Sequence, residues 1–325
     1  MGKNFFPYFG RLCQIYCLID RFCPIFTKYP FICIEKFTKQ KGVFINIIFS
    51  SRQYFMEQNR LYWDSLAENY CERVISPFYD GETAELFYRA VKGLHTDFLP
   101  ARKRDQKDNS VLDVGCGKGL FFEILRRGWG DVPSDRHLTG IDFSPEMIRY
   151  AKEKQTGGSL VKGDNTLLPL KSSGFDEVYS INSFLVPDRE SRLKCFAESF
   201  RVLKPGGIFT GLFPSNENLL EQSYAMKECF LKEQKYTDED EALHAVYKEL
   251  TLRGYDPVGG FIDAKNGEMR QKLYAKYELE DLLETTGFTL QKIVPFYYPV
   301  SVIKHFDLTV RKNILYDWLL IATKE

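Results

Sequence analysis

Two short segments about twenty residues apart constrain this chain more than any others. Residues 111–119 read VLDVGCGKG, in which an apolar strand runs through Asp113 into a loop with three glycines. Residues 138–147 read LTGIDFSPEM, a second apolar strand that ends on Asp142. Doubly wound α/β sheets place such a glycine loop and such an acid at the carboxyl ends of neighbouring strands, where nucleoside-bearing cofactors bind.

The spacing of the glycines distinguishes between classes of cofactor. Dinucleotide-binding loops read G-x-G-x-x-G, whereas Gly115, Gly117 and Gly119 form G-x-G-x-G. Leu120 stands where the dinucleotide pattern requires a glycine. The carboxylate of Asp113 would repel a pyrophosphate, but it suits a cationic ammonium or sulfonium group. The loop therefore disfavours a nicotinamide oxidoreductase.

Apolar strands alternate with amphipathic helices from residue 110 to residue 213. This alternation predicts a parallel sheet with right-handed crossovers and with both faces covered. The first two helices are expected to bury Leu61 and Leu86 on their apolar faces. The predicted strands are 110–114, 137–142, 159–163, 175–181 and 208–213; the predicted helices are 57–73, 83–99, 118–128, one capped by Ser144, and 188–203, with a breaker turn at 203–207.

The glycine loop, the second acid and the order of the elements resemble the class I S-adenosylmethionine-dependent methyltransferases. The resemblance covers roughly residues 57–325, with one interruption. It implies an α/β fold with a doubly wound, mostly parallel, seven-stranded sheet of the Rossmann-like methyltransferase type. Segments 288–295 and 315–323 would then form an antiparallel pair at one edge. The implied cofactor is S-adenosyl-L-methionine, and the implied activity is methyl transfer to oxygen, nitrogen or carbon of a small molecule.

The resemblance also implies roles for individual residues. The glycine loop and the preceding acid correspond to the site of the methionine moiety, and the acid after the second strand to the residue that binds the ribose. The next two loops would contact the adenine and close the pocket, and an aromatic residue of the first helix would cover it. The implied cofactor-binding residues are Asp113, Gly115, Cys116, Gly117, Gly119, Asp142, Phe143, Asp164, Asn165, Ser180 and Tyr70.

No general base follows from the resemblance. Many similar enzymes carry a histidine after the fourth strand, where this chain has residues 184–187, FLVP. His244 and His305 are the candidates for a base, and a solvated surface histidine is the competing interpretation of each. The absence of a C-x-x-C pair argues against a zinc site. The absence of an Asn/Asp-Pro-Pro-aromatic motif argues against methylation of nucleobase or glutamine nitrogens.

Residues 216–277 form an insertion after the fifth predicted strand. Helices are predicted at 217–235 and 239–252, followed by the glycine-containing segment 254–260. A long insertion above the carboxyl edge of a sheet is typical of a helical lid or substrate-binding cap. A helical pair without a role at the site is the alternative.

Residues 1–55 differ from the rest in composition, because they combine many aromatic residues with eight basic and two acidic ones. Three interpretations are open: a membrane-surface or targeting segment, a layer packed on the domain, or a segment outside the functional protein. We favour the third, because the sequence after Met56 resembles the usual opening of small-molecule methyltransferases. The predicted methyltransferase domain is therefore 56–325.

The charge and cysteine content limit the class of partner. The whole chain has a formal net charge of zero. Because residues 1–55 are basic, the part after residue 55 is mildly acidic, which is unfavourable for binding nucleic acid. No apolar run reaches the roughly 18 residues that span a bilayer. Scattered cysteines fit a reducing compartment, and we expect a cytoplasmic enzyme. Methylation of tRNA or protein, or a cofactor-binding subunit without catalysis, are the alternatives; the oligomeric state is left open.

Overall fold

Strands and helices alternate along the chain as predicted. The computed structural model describes residues 56–98, 109–128, 137–154, 157–263, 269–305 and 315–325. The predicted extension over residues 1–55 lies outside these ranges, and its interpretation stays a prediction. The strands are β1 (Ser110–Val114), β2 (His137–Asp142), β3 (Ser159–Lys162), β4 (Phe175–Ile181), β5 (Leu203–Pro214), β6 (Tyr255–Asp256), β7 (Phe261–Asp263), β8 (Arg270–Lys272), β9 (Thr289–Tyr297) and β10 (Tyr316–Thr323).

The helices follow most of the strands and cover both sides of the sheet. Among the described residues, no helix is both long enough and apolar enough to cross a bilayer. The helices are α1 (56–66), α2 (Tyr70–Arg73), α3 (Gly81–Phe98), α4 (Leu120–Gly128), α5 (Pro145–Glu153), α6 (Arg189–Val202), α7 (Asn216–Lys232), α8 (Glu239–Leu252), α9 (Lys276–Thr285) and α10 (Val300–His305).

Seven strands form one sheet in the order β3-β2-β1-β4-β5-β10-β9. The first five strands are parallel, and β10 runs antiparallel to both β5 and β9. The predicted doubly wound, mostly parallel, seven-stranded fold is therefore confirmed. Chain order reverses between β1 and β4, and ligands of open α/β sheets bind at the carboxyl ends of strands at such a point.

Apolar side chains pack on both faces of the sheet. On β5, Phe209 and Phe213 belong to one cluster, whereas Ile208 and Leu212 belong to the other. This alternation follows from the two-residue repeat of a strand and explains why residues on both faces of β5 are apolar. The helices α6 and α9 cover the first cluster, and α3 and α4 cover the second.

The N-terminal helices differ from the prediction. The helix expected over 57–73 is divided into α1 and α2 by a turn at 67–69. Leu61 and Leu86 are exposed, although both were expected on buried faces. On α3 the neighbouring Phe87 is buried instead, in contact with Phe121 and Phe296. The prediction was wrong there because the packed sheet, rather than the helix alone, selects which side is covered.

The segment 203–207 is the start of β5 rather than a turn before it. Leu203 already pairs with Phe175, and the register shifts before Glu177 pairs with Ile208. Gly206 has a φ of 72° and donates its amide to the carbonyl of Lys324. The Pro-Gly-Gly signal therefore marks an irregularity within the strand instead of its beginning.

The insertion after β5 contains more than the predicted helices. The helices α7 and α8 pack around Leu219, Val246 and Leu250. The strands β6, β7 and β8 form a separate antiparallel sheet, which was not predicted. Strands of two or three residues are too short to display a periodic pattern, so that sequence alone gave no signal for them. The assignment of this insertion as a lid stays a prediction.

A buried group of charges joins the insertion to the main sheet. Glu278 on α9 forms ion pairs with Arg192 on α6 at 3.0 Å and with Lys272 on β8 at 2.9 Å. The side chains of Arg192, Lys272 and Glu278 are 6%, 8% and 17% exposed. One carboxylate thus forms ion pairs with two buried cations that come from different parts of the chain.

Replacing Glu278 by Gln should lower the free energy of unfolding by about 3–5 kcal/mol, because two buried cations would lose their counter-charge. Glu280→Gln is the matched control, since Glu280 forms an exposed pair with Lys276 on the same helix. Urea unfolding of the two variants measures the difference. Equal, small decreases in the free energy of unfolding of both variants would show that the buried ion pairs do not stabilise the fold.

Candidate functional site

The glycine loop turns sharply at the carboxyl end of β1. The amides of Gly115 and Cys116 both donate to the carbonyl of Ile141, at 2.7 and 3.0 Å, and so bind the loop to the end of β2. Gly115 has a φ of 80°, and a Cβ added there would lie 2.2 Å from the Cβ of Ser183. Only glycine satisfies both the left-handed conformation and this close approach.

A steric match between Cys116 and Gly140 closes the base of the loop. A Cβ at Gly140 would lie 2.8 Å from Sγ of Cys116 and 3.1 Å from Leu160. The thiol therefore fills the space that the missing side chain leaves. Burial raises the pKa of Cys116 well above its usual value, and this residue serves the packing of the loop.

Asp142 fixes the loop to the following helix. Its Oδ2 accepts from the amide of Gly117 and its Oδ1 from the amide of Ser144, each at 2.9 Å. The hydroxyl of Ser144 in turn accepts from the amide of Met147, which confirms the predicted N-cap of α5. An ionised carboxylate has further lone pairs for hydroxyl donors. Its predicted contact with the ribose stays a prediction.

Asp113 lies beside this carboxylate and lacks a complete set of partners. It is 2% exposed, and its Oδ1 is buried without a hydrogen-bond partner among the described residues. Burial raises the pKa of Asp113 to about 8, and the charge of Asp142 adds to the effect. Burial likewise raises the pKa of Asp142 to about 6. Two buried acids with spare acceptor capacity form a site suited to a cation that also donates hydrogen bonds.

The loop after β3 approaches the same edge. The amide of Gly163 donates to the carbonyl of Asp142 at 3.0 Å. Asp164 accepts from the amide and the hydroxyl of Thr166, both at 2.8 Å, which shapes a tight turn. Oδ1 of Asn165 is buried and has no partner among the described residues. The structure thus brings three predicted residues together here: Asp142, Asp164 and Asn165.

Phe143 and Ser180 are the remaining predicted cofactor-binding residues at this edge of the sheet. Phe143 is half-buried directly after β2. The hydroxyl of Ser180 lies 2.8 Å from that of Ser183, which donates to the carbonyl of Val114 at 2.6 Å. Ser180 therefore supports the contact between the ends of β4 and β1. Its predicted role at the cofactor pocket remains untested.

The N-terminal helices are bound to the loop through residues that the sequence analysis missed. Oδ1 of Asp64 on α1 accepts from the hydroxyl of Ser144 at 2.5 Å. The ammonium of Lys118, within the loop, donates to the carbonyl of Glu68 at 2.9 Å. Lys118 belongs to the glycine motif and could have been singled out there, whereas no motif marks Asp64. These contacts place the segment 56–73 against the site.

Tyr70 is half-buried on α2 and lies within electrostatic reach of the two acids. Burial raises its pKa, and the charges of Asp142 and Asp113 raise it further. Its ring lies 6.3 Å from that of Trp63 on α1. The prediction that Tyr70 covers the cofactor stays a prediction.

Of the two candidate histidines, His244 lies apart from this arrangement of contacts. His244 is exposed on α8, whose buried side consists of Ala242, Val246 and Leu250. The side chain of His305 lies outside the described residues. Among the described residues, no group of three or more His, Cys, Asp or Glu side chains is placed to bind a metal ion.

Comparison with known proteins identifies the class of domain. The family described as "Methyltransferase domain" matches residues 111–207. A malonyl-acyl-carrier protein O-methyltransferase of Pectobacterium atrosepticum is 30% identical over 166 residues, 49% of this chain and 60% of that protein. A demethylmenaquinone methyltransferase of Listeria monocytogenes is 29% identical over 153 residues, 45% of this chain and 61% of that protein. The chain thus spans less than two thirds of the length of either relative.

A solved structure is also similar. The S-adenosylmethionine-dependent methyltransferase of Methanosarcina mazei aligns with a TM-score of 0.47 and 22% identity. The alignment covers 67% of this chain and 93% of that one.

Gly115→Ala should abolish binding of S-adenosylhomocysteine and lower the free energy of unfolding by about 1–3 kcal/mol, because the new Cβ meets Ser183 in a left-handed backbone. Gly93→Ala is the control: nothing lies within 4 Å of its added Cβ, and a gain of about 0.5–1 kcal/mol is expected in this helix. Calorimetry and urea unfolding give both values. Wild-type affinity of Gly115→Ala for S-adenosylhomocysteine would contradict the close contact between position 115 and Ser183.

The buried acid Asp113 should make the ligand-free protein less stable at high pH. Its folded pKa of about 8 exceeds the unfolded value near 4, so that stability is lost as the pH rises through this window. Asp113→Asn cannot ionise and should gain about 1–3 kcal/mol over the wild type between pH 6 and pH 8.5. Urea unfolding at both pH values tests this, with the exposed Asp281→Asn as control. Parallel pH curves for wild type and Asp113→Asn would refute it.

Proposed function

We propose that this chain, which belongs to the class I S-adenosylmethionine-dependent methyltransferase family, transfers a methyl group to oxygen, nitrogen or carbon of a small molecule. The observation that carries the proposal is the buried pair Asp113 and Asp142 around a glycine loop at the point where strand order reverses. A structural turn alone would not require two acids buried at an energetic cost.

The residues present fit the cofactor of this family. Asp113, with its unpartnered Oδ1, would accept from the ammonium group of the methionine moiety, and the backbone of Gly115 to Gly119 would approach it closely. Asp142 would accept from the ribose hydroxyls with its remaining lone pairs. The buried Oδ1 of Asn165 is available to an amino group such as that of adenine.

The cofactor supplies a methyl group that is already activated on a sulfonium. The task of this chain is therefore to hold an acceptor atom in line and to exclude water. The segment 56–73 supports the second task, since Lys118 and Ser144 bind it to the loop and to the start of α5. Tyr70 belongs to this segment, and the charges of Asp142 and Asp113 raise its pKa.

A small-molecule acceptor agrees with the charge of the chain and with the names of its relatives. Residues after position 55 carry more acidic than basic side chains, which disfavours the phosphate backbone of a nucleic acid. The names of the two relatives refer to malonyl-acyl-carrier protein and to demethylmenaquinone. These two molecules differ widely, so that the acceptor of this chain has to be inferred from the residues of its own site.

Asp142→Ala should weaken the binding of S-adenosylhomocysteine by about 1–3 kcal/mol, the range for hydrogen bonds lost from a buried polar partner. Asp281→Ala is the matched control, because Asp281 forms an exposed ion pair with Arg189. Calorimetric titration of both variants measures the change. Wild-type affinity in Asp142→Ala would contradict the ribose assignment.

Transfer itself is tested with tritium-labelled methyl donor and a cell extract that is separated into small-molecule, RNA and protein fractions. Label is expected in the small-molecule fraction, and Gly115→Ala should give none. Label confined to RNA or to protein would replace the proposed acceptor class, and wild-type protein that binds donor without any transfer would favour a non-catalytic role.

A further inference from the structure

A second polar group lies at the carboxyl edge of the sheet and has no part in the proposed cofactor contacts. Oδ2 of Asp317 accepts from the hydroxyl of Tyr298 at 2.7 Å and from the amide nitrogen of Asn182 at 3.4 Å. Asp317 is 6% exposed, and Tyr298 is equally buried. We name these three residues the Asp317 group.

The Asp317 group is assembled from three separate elements. Asn182 directly follows β4, Tyr298 follows β9, and Asp317 lies in β10 opposite Pro214 at the end of β5. These positions all lie at the edge where the glycine loop is found. Asn182 has a φ of 51°, a left-handed conformation that is uncommon in residues other than glycine and is retained where the surroundings require it.

The Asp317 group adjoins the proposed cofactor site through a continuous set of contacts. Ser183, the neighbour of Asn182, donates to the carbonyl of Val114 and lies against Gly115. On the other side, the phenol of Tyr70 is coupled electrostatically to Tyr298 as well as to the acids beside the loop. The Asp317 group therefore lies next to residues that would hold the cofactor.

The hydrogen bonding of the Asp317 group is incomplete. Oδ1 of Asn182 is buried and has no partner among the described residues. An orphaned buried acceptor next to a buried carboxylate requires a donor from outside this set. The surroundings are aromatic: the ring of Tyr298 lies 5.1 Å from that of Phe296, the residue opposite Asp317 on β9.

We propose that Asp317, supported by Tyr298 and Asn182, binds the hydroxyl group of the methyl acceptor and takes its proton. The acceptor is then an aromatic small molecule methylated on oxygen. This inference rests on the proposed methyl transfer and narrows its acceptor. Oδ1 of Asn182 would accept from a second donor of the same molecule.

The step balances in atoms and charge. The acceptor oxygen gives its proton to the Asp317 carboxylate and forms a bond to the methyl carbon, whose bond to sulfur breaks with both electrons left on sulfur. A cation and a carboxylate are consumed, and a neutral thioether, a neutral carboxylic acid and the methyl ether result.

The surroundings leave Asp317 able to accept a proton near neutral pH. Burial raises its pKa to about 6, and hydrogen bonds from Tyr298, Asn182 and the amide of Ser215 oppose the increase. Glu221 and Glu217 bind Tyr316 and Trp318, the neighbours of Asp317 in β10, whose side chains alternate to the other face of the sheet. At pH 7 the carboxylate is therefore mostly ionised.

Phenol and anisole are the probes, because they differ only in the hydroxyl proton and its replacement by methyl. Saturation-transfer NMR of protein saturated with S-adenosylhomocysteine should show phenol binding at least fivefold more tightly than anisole at pH 7.5. This preference should disappear at pH 5, where Asp317 is protonated. Asp317→Asn should reduce the preference and remove its pH dependence, while Asp281→Asn retains both.

Tyr298→Phe provides a second variant should Asp317→Asn fold poorly. Loss of the phenol hydrogen bond should shift the midpoint of the pH dependence upward, which a merely structural role would not do. The inference is overturned by equal binding of phenol and anisole in the wild type, or by an unchanged pH dependence in Asp317→Asn.

Both probes are also titrated into ligand-free protein. Failure to bind S-adenosylhomocysteine would contradict the proposed function, while the phenol preference would still show whether Asp317 binds a hydroxyl group. The small-molecule fraction that takes up label in the transfer assay then serves as the acceptor. With it, Asp317→Asn should lower the rate of methyl transfer at least 100-fold and leave the affinity for S-adenosylhomocysteine unchanged.

Discussion

The two hydrogen bonds from backbone amides to the carboxylate of Asp142 determine the geometry of the sheet edge. They bind the loop after β1 to the beginning of α5, at 2.9 Å each, and so fix the conformation of a segment that has few side chains of its own. Asp113 lies beside this carboxylate, and the carbonyl of Asp142 also receives the loop after β3. Three segments at this edge, the loop after β1, the start of α5 and the loop after β3, are therefore bound to one residue, Asp142.

The site combines groups that are unfavourable in the ligand-free protein. Asp113, Asp142 and Asp317 are buried carboxyl groups whose pKa values are all raised by burial. Several acceptor atoms nearby lack partners, and Asn182 has a strained backbone. Such features are tolerated where the packed sheet over-determines them, and they give the edge its capacity to bind polar and cationic groups.

Local signals predicted most of the sheet and part of the site. The bounds of β4 were correct because its aromatic and β-branched residues favour a strand and Gly174 and Asn182 mark its two ends. Ser144 was recognised because capping depends on a few neighbouring residues. Contacts between distant residues gave no such signal. Asn182 and Asp317 are 135 positions apart, and Asp64 meets Ser144 across 80 positions. The strands β6 to β8 were too short to be recognised.

The fit between Cys116 and Gly140 links two positions in different strands and loops. The sulfur of Cys116 occupies the volume that a side chain at position 140 would need. A larger residue at either position therefore requires a smaller one at the other. The two positions thus form a single steric unit. Substitutions at positions 116 and 140 should therefore be correlated among homologous proteins, and a homologue with alanine at position 140 should carry glycine at position 116.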